Sequence, residues 1–138
     1  MPWTNKGKYR ALELLFNGGA WTATLKFHLA NSTPTVDTNV LSDLTEASNY
    51  TSLSYSKNDT DFPTLTEDDT GDLASVAVKP LVFTAGGGTC TATHVVMCDA
   101  NVTEQNREVL AFWSLGGTQN VSTGQTLTCT AGTLRLTE

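Results

Sequence analysis

The pattern of apolar and polar positions is clearest in residues 89–115, where two apolar segments flank a polar one. Both apolar segments, residues 90–98 and 109–115, are rich in β-branched and aromatic side chains, which favour strands. The second segment is apolar on both faces, as expected of a strand covered on both sides. Residues 99–108 are polar and suit a solvent-exposed connection. We therefore predict a β-hairpin whose second strand lies in the middle of a sheet or sandwich.

Apolar residues with helical spacing precede the first strands, along residues 5–17. The positions with this spacing are Tyr9, Leu12, Leu15 and Phe16. Thr4 or Asn5 can cap the start of a helix, and the Asn-Gly-Gly sequence at residues 17–19 is a strong stop signal. We therefore predict one helix over residues 5–17.

Strict alternation follows in residues 21–30, which predicts a strand. Its apolar face carries Trp21, Ala23, Leu25, Phe27 and Leu29. Its polar face includes Lys26 and His28, and we expect His28 to be solvated or hydrogen-bonded rather than catalytic. We expect the helix to cover the apolar face of this half-exposed strand.

The next segments are mostly polar. Residues 31–49 have the composition of a loop, from which Leu41 and Leu44 are expected to turn back towards the core through a short helical turn. Residues 57–72 are the most polar part of the chain. The acidic cluster at residues 67–72 favours a solvated turn over a Ca²⁺ site, because the alternating-acid pattern of a calcium loop is incomplete.

Turn signals separate the remaining short strands, and no long helix lies between them. These strands are predicted at residues 50–55, 73–78, 81–83, 127–130 and 134–136. Gly116 and Gly117 are expected to end the strand that begins at residue 109. The predicted fold is mainly β, an antiparallel β-sandwich of about seven or eight short strands with one N-terminal α-helix. We assign residues 1–138 to a single domain, with an N-terminal arm and helix (1–19) before the strands (20–138).

Charge and hydropathy narrow the function classes. The 138-residue chain has a net charge of −6, and its eight basic residues are scattered except for Lys6, Lys8 and Arg10. We therefore expect no nucleic-acid partner, because phosphate contacts need a clustered basic surface. The sequence has no apolar run of about 18 residues, and its N-terminus lacks the apolar core of a secretory signal. We expect no membrane partner.

The three cysteines are predicted to be buried free thiols. On one continuous strand Cys90 and Cys98 would lie about 26 Å apart, too far for a disulfide, and either could meet Cys129 only by strand pairing. The sequence has no CxxC motif, and only His28 and His94 could add nitrogen ligands. We therefore expect no metal site.

No constellation of catalytic residues stands out in the sequence. A mid-strand position such as that of His94 is more typical of a structural histidine than of a base. The chain lacks a Gly-x-Ser-x-Gly nucleophile elbow, and the glycines at residues 86–88 lack the lysine of a phosphate loop. We predict neither an enzyme nor a bound cofactor. Trp3, which precedes the helix, is the aromatic residue that we expect to be exposed and to anchor a partner.

Five segments follow the N-terminal helix in an order that resembles one protein family. They are LKFHLANSTP, ASNYTSLSY, THVVMCDA, EVLAFWSL and VSTGQTLTCTAGTLRLTE. In this order they resemble a family of small virion structural proteins of tailed bacteriophages, which includes head-decoration, minor structural and tail-fibre-like proteins. The chain departs from that pattern in Cys90, Cys98, a longer acidic loop at residues 59–72 and the segment VTEQNRE.

The resemblance implies a non-enzymatic structural protein of a virion, made in the cytoplasm of the bacterial host. The first expectation is a capsid decoration (cement) protein, bound as a homo-oligomer to the outside of the major capsid protein shell. A tail-associated or fibre-base protein is the alternative, and a carbohydrate-binding module is a third. The residues expected to contact the partner are Trp3, Lys6, Lys8, Arg10, Leu41 and Leu44. We expect that removing residues 1–5 weakens particle binding and leaves the fold intact.

Overall fold

The part of the chain that the structure describes contains three antiparallel sheets and one N-terminal α-helix. The computed structural model describes residues 2–17, 23–71, 73–130 and 132–137. In these residues the elements are α1 (Asn5–Phe16), β1 (Thr24–Ala30), β2 (Leu53–Ser56), β3 (Leu65–Asp68), β4 (Leu73–Ala77), β5 (Leu81–Thr84), β6 (Cys90–Cys98), β7 (Val109–Val121), β8 (Thr126–Cys129) and β9 (Thr133–Thr137). Short 3₁₀ turns lie at Leu41–Asp43 and Glu104–Asn106. Among the described residues, no helix is long and apolar enough to cross a membrane.

Two layers of strands enclose the main core. One layer is the four-stranded sheet β2-β1-β6-β7, and the other consists of the sheets β3-β4-β9 and β5-β8. Side chains from both layers meet in one cluster, which includes Leu25, Phe27, Leu29, Leu81, Phe83, Val95, Met97 and Leu134. This arrangement confirms the predicted antiparallel β-sandwich with an N-terminal helix.

The described residues contain nine strands, one more than the upper predicted number. The additional strand, β3, lies in the polar segment 57–72 and includes the first two residues of the acidic cluster that we predicted to be a solvated turn. All four of its residues are exposed, because β3 is the edge strand of its sheet. No apolar alternation therefore marks it in the sequence. The turn that follows at residues 69–71 is exposed, as predicted, and Asp72 lies outside the described residues.

The central hairpin is present, but β7 is at the edge of its sheet rather than in the middle. β6 has its predicted bounds. The outer edge of β7 is covered by two other segments. The Thr4 N–H donates to the Leu110 carbonyl over 2.9 Å, and the Val109 N–H donates to the Asn39 carbonyl over 2.9 Å. This coverage explains why residues 109–111 have no exposed surface although β7 is an edge strand.

β7 also continues through the glycines that we expected to end it. Gly116 and Gly117 have φ angles of +79° and +145°, which side chains rarely allow. The pairing register of β6 with β7 shifts between Ala92 and His94. β7 therefore forms a bulge at the glycines and resumes its pairing up to Val121.

The helix begins where predicted but does not cover β1. The Thr4 hydroxyl accepts a hydrogen bond from the Gly7 N–H over 3.0 Å, and Asn17 is the C-cap. α1 packs chiefly on β7, because the residues that precede it pair with that strand. The expected covering of the β1 apolar face by the helix is wrong, since the second layer of the sandwich covers that face. Residues 21 and 22 of the predicted strand lie outside the described residues.

A second, smaller core lies on the other face of the four-stranded sheet. Val96, Cys98 and Val109 pack there against Leu41, which is fully buried, and Leu44 is half-buried beside them. The predicted return of Leu41 and Leu44 to the core through a short helical turn is confirmed. The same burial contradicts the expectation that Leu41 contacts a partner, because its side chain has no exposed surface.

The cysteines are free, as predicted. Cys90 and Cys98 are buried, and Cys129 is half-buried. Burial raises the pKa of all three thiols, that of Cys129 to about 11. At neutral pH the cysteines are therefore protonated thiols, which are poor nucleophiles.

Candidate functional site

A buried threonine and a glycine hold the first turn of α1 on β7. Thr4 has no exposed surface, and its hydroxyl donates to the Val109 carbonyl. Gly7 is also buried, and a Cβ atom added to it would lie 2.1 Å from the Leu110 carbonyl oxygen. The first helical turn therefore lies directly against the strand backbone, an approach that only glycine permits at position 7.

Arg10 joins the helix to the start of β7. Its guanidinium donates to the Glu108 carboxylate from Nε over 2.7 Å and from Nη2 over 2.8 Å. Nη1 of Arg10 also donates to Glu13, and Lys6 Nζ lies 3.7 Å from Glu108. The hydrogen bonds from Arg10 hold the pKa of Glu108 below its ordinary value. Lys6 and Arg10, expected at a partner contact, are thus engaged within the chain, whereas Lys8 is exposed.

Replacing Glu108 with glutamine should lower the free energy of unfolding by about 1.5–3 kcal/mol at neutral pH, the range for hydrogen bonds to charged groups. The pKa of Glu108 is lowered in the folded chain, so its charge stabilises the fold above the unfolded pKa of about 4.3. That contribution is lost as the pH falls through the folded pKa. Urea unfolding at neutral pH and near pH 3 should show the difference between wild type and E108Q shrinking in acid.

Glu13→Gln is the matched control for Glu108→Gln. Glu13 also accepts from Arg10, but it lies on the same helix three residues away. Pairs of this spacing contribute only about 0.2–0.5 kcal/mol. A difference between wild type and E108Q that does not change with pH would contradict the assigned role of the Glu108 charge.

The second half of α1 projects apolar side chains into solvent. Leu12 is 57% exposed and Phe16 is 78% exposed, and Tyr9 lies one turn earlier on the same side. We call these three residues the apolar helix face. Single exposed apolar residues are ordinary, but a contiguous patch marks an interaction surface.

An apolar groove of about 660 Å³ adjoins the helix. The residues that line it include Trp3, Ala11, Leu14, Leu25, Phe62 and Leu134. Trp3 is half-buried rather than exposed, because its indole N–H donates to the Arg135 carbonyl over 2.8 Å and its ring packs on the core. The ring of Trp3 therefore lines part of the groove and also packs against the main core.

The residues expected to contact a partner lie in two places. Trp3, Lys6 and Arg10 lie around the start of β7, whereas Leu41 and Leu44 belong to the second core. Sequence reasoning missed that Tyr9, Leu12 and Phe16 of the helix remain exposed. The signal for it was present, since the helix carries apolar residues on more than one side, beyond the single stripe that one packed face requires.

A hydrogen-bonded cluster surrounds His28, which is fully buried. Of the two environments expected from the sequence, solvated or hydrogen-bonded, the structure shows the second. Its Nδ1 lies 2.7 Å from Glu46 Oε1 and 3.1 Å from the Tyr50 hydroxyl. Its Nε2 lies 2.9 Å from Arg107 Nη1, and the same Nη1 donates to Glu104 over 3.1 Å. Because a guanidinium can only donate, Nε2 accepts and Nδ1 carries the proton that it donates to Glu46. We call these five residues the His28 cluster.

Burial and hydrogen bonding act in opposite directions on Glu46. Burial raises its pKa, but the hydrogen bonds from His28 and Tyr50 outweigh burial, so that the pKa lies below its ordinary value. Burial and this carboxylate both raise the pKa of Tyr50. The Tyr50 hydroxyl donates to Glu46 over 2.5 Å and accepts from the Leu29 N–H over 3.1 Å. The Arg107 guanidinium donates to Glu104, and its charge also contributes to lowering the pKa of Glu46.

Sequence reasoning missed the His28 cluster because its members come from three separate segments. His28 lies on β1, Glu46 and Tyr50 follow in the connection to β2, and the other two lie at the 3₁₀ turn before β7. No local motif joins residues that are 79 positions apart, as His28 and Arg107 are. The only signal was a histidine on the polar face of a strand.

Comparisons of the sequence with protein-family models and with curated proteins give no match. A functional assignment for this chain therefore rests on its own residues and contacts.

Proposed function

We propose that this chain is a structural protein of a tailed-bacteriophage virion, a decoration protein that binds the outside of the major capsid shell and stabilises it. The order of its segments resembles that family. The observation that carries the proposal is the apolar helix face, because it is exposed on a helix whose first turn is fixed to the sandwich.

A fixed helix with exposed apolar side chains suits docking on a rigid protein lattice. The contacts of Thr4, Gly7 and Arg10 already order the helix, so docking costs little additional conformational entropy. Burying Leu12 and Phe16 would contribute about 1.5–3 kcal/mol for each side chain. Such a modest contact is sufficient for a homo-oligomer that binds a repeating shell, because multivalency raises the effective affinity.

The charge distribution favours the outer surface of the shell over the surface that faces packaged DNA. The net charge is −6, and the carboxylates of Glu67, Asp68 and Asp69 are exposed in the β3–β4 hairpin. Lys6 and Arg10 are directed to Glu108 within the chain. A lining in contact with DNA would need a clustered basic surface.

Quantitative mass spectrometry of purified particles tests the proposal. We expect a copy number close to one chain per major capsid subunit. In particles made with the double variant Leu12→Ser and Phe16→Ser, the copy number per particle should fall at least about tenfold, since a loss above about 1.4 kcal/mol has that effect on binding. Both side chains are exposed in the free chain, so the variant should keep its circular dichroism spectrum and melting temperature.

Val102→Ser is the matched control for the double variant. Val102 is 98% exposed, but it lies in the connection between β6 and β7 and not on the helix. Its replacement should change neither the copy number nor the stability. A handful of wild-type copies per particle would instead assign the chain to the tail or fibre base. Absence from particles would overturn the proposal and favour a free binding module, such as one for carbohydrates.

A further inference from the structure

One group of metal-ligating side chains comes together among the described residues, although the sequence predicts no metal site. It consists of His28, Glu46 and Glu104, whose ligand atoms all lie within 4.8 Å of one another. We propose that the His28 cluster binds a divalent transition-metal ion through these three residues. Such a site is independent of the apolar helix face.

The ligand distances fit a small metal ion. His28 Nδ1 lies 2.7 Å from Glu46 Oε1 and 3.5 Å from Glu104 Oε1. Ligands of a tetrahedral zinc ion, with bonds of about 2.0–2.2 Å, lie roughly 3.3–3.6 Å from one another. The distance to Glu104 matches this range, and the Glu46 carboxylate has to move back from Nδ1 by about 0.6–0.9 Å. The Tyr50 hydroxyl, 3.1 Å from Nδ1, is close enough to hydrogen-bond a water molecule in the fourth position.

The three ligands combine a fixed anchor with adjustable partners. His28 is fully buried on β1, whereas the side chains of Glu46 and Glu104 are 23% and 48% exposed. The two carboxylates lie in connections rather than in strands, so they can rotate around an ion that enters from solvent. A bound ion would therefore join both connections to the sheet.

The ligand types select the kind of ion. An imidazole nitrogen with two carboxylates suits Zn²⁺ or Co²⁺, whereas Mg²⁺ and Ca²⁺ prefer ligand sets made only of oxygen. Two carboxylates carry two negative charges, which a divalent ion neutralises more completely than the single guanidinium of Arg107. The metal therefore improves the charge balance of the cluster.

Arg107 and the metal exclude each other. Binding through Nδ1 requires the proton of the neutral imidazole to move to Nε2. Nε2 then becomes a donor and can no longer accept from Arg107, which now lies 2.9 Å away. The guanidinium has to leave His28 when the metal binds, and it competes with the ion for the Glu104 carboxylate. Arg107 therefore acts as a competitor that lowers metal affinity.

Calorimetric titration of the purified, chelator-treated chain with Zn²⁺ tests this proposal. We expect one ion per chain, with no binding of Mg²⁺ at the same concentration. Glu104→Gln, at an exposed position, should weaken zinc binding at least about tenfold. Arg107→Gln should tighten it about tenfold, because it removes the competing cation and offers an amide oxygen to Nε2–H. A merely structural Arg107 would not give this tightening.

Two controls exclude binding elsewhere on the chain. Glu67→Gln removes an exposed carboxylate from the β3–β4 hairpin and should leave zinc affinity unchanged. The Co²⁺ complex should show a visible spectrum of a nitrogen- and oxygen-ligated ion, without the ultraviolet charge-transfer band of a cysteine thiolate. Absence of zinc binding to the wild type at millimolar concentration would overturn the proposal. Zinc binding that E104Q leaves unchanged, or a thiolate band, would overturn it equally.

Discussion

Replacing Gly7 with alanine should lower the free energy of unfolding by about 2–3 kcal/mol, although alanine is the better helix former. In an exposed helix interior the same change stabilises by about 1 kcal/mol. Here the new Cβ atom would lie 2.1 Å from the Leu110 carbonyl oxygen and 2.9 Å from Cε3 of Trp3. The carbonyl belongs to the β7 backbone, which pairs with β6, so the helix has to move away from the strand. That movement lengthens the hydrogen bonds of Thr4 as well.

Gly86 offers the matched control for Gly7→Ala. A Cβ atom added at Gly86 meets nothing within 4 Å, and the φ angle there is not positive. Gly86→Ala should therefore change the free energy of unfolding by no more than about 1 kcal/mol, in the stabilising direction. Urea unfolding followed by tryptophan fluorescence measures both variants. A G7A variant as stable as the wild type would mean that the first helical turn does not lie against β7 in solution.

Elements that have a local pattern of apolar residues or a local capping residue could be predicted from the sequence. The alternation of β6 gives its bounds, and the threonine before the helix gives the N-cap. The return of Leu41 to the core followed from an apolar residue in a polar loop. In each case the residues that are buried or that cap the helix are recognisable from the local sequence, so the local pattern of side chains carries the information.

Features that depend on backbone pairing rather than on side-chain burial could not be predicted. β3 is fully exposed and owes its strand conformation to β4, so its composition resembles that of a loop. β7 appeared central because it is buried, but its outer edge is covered by residues 2–4 and 39–41 rather than by a strand of the sheet. An apolar composition predicts that a strand is buried, but it does not predict which segments of the chain cover the strand.

The candidate sites show the same limit. Lys6, Lys8 and Arg10 form the one basic group in the sequence, and they suggest a partner contact. The partner of Arg10 is Glu108, which is 98 positions away, and the sequence gives no indication of that pairing. The His28 cluster is likewise assembled across the fold. A group of charged residues in the sequence therefore does not by itself predict a binding surface, because some of its members can form ion pairs within the chain.

The N-terminal arm has two roles in the structure, beyond the partner contact expected from the sequence. It protects the edge of β7, which would otherwise present unpaired backbone groups, and it sets the direction in which the apolar helix face points. Because both roles depend on the same few residues, changes to the arm should affect stability before they affect binding. The expectation that residues 1–5 serve binding alone does not fit these contacts.

Deleting residues 1–5 should lower the free energy of unfolding by about 3–5 kcal/mol. The loss of the Thr4 cap costs about 1 kcal/mol. The hydrogen bonds from the Thr4 N–H to Leu110 and from the Phe112 N–H to the Pro2 carbonyl contribute about 1 kcal/mol each. The half-buried ring of Trp3 adds about 1–2 kcal/mol. Against a typical stability of about 5–15 kcal/mol, the deletion removes a large share.

Pro2→Ala is the control for the deletion, because it changes a side chain of the arm and keeps the arm's backbone hydrogen bonds. Pro2 is exposed, and its replacement retains the carbonyl that accepts from the Phe112 N–H, so stability should change by less than about 0.5 kcal/mol. Urea unfolding compares the deletion, the control and the wild type, and particle copy number is then measured where all three remain folded. If the deletion lowers the free energy of unfolding by less than about 1 kcal/mol, the arm does not stabilise the fold, and the original expectation of a role in binding alone would stand. A large loss of stability would instead mean that weakened particle binding by this deletion reports on the fold before it reports on the contact.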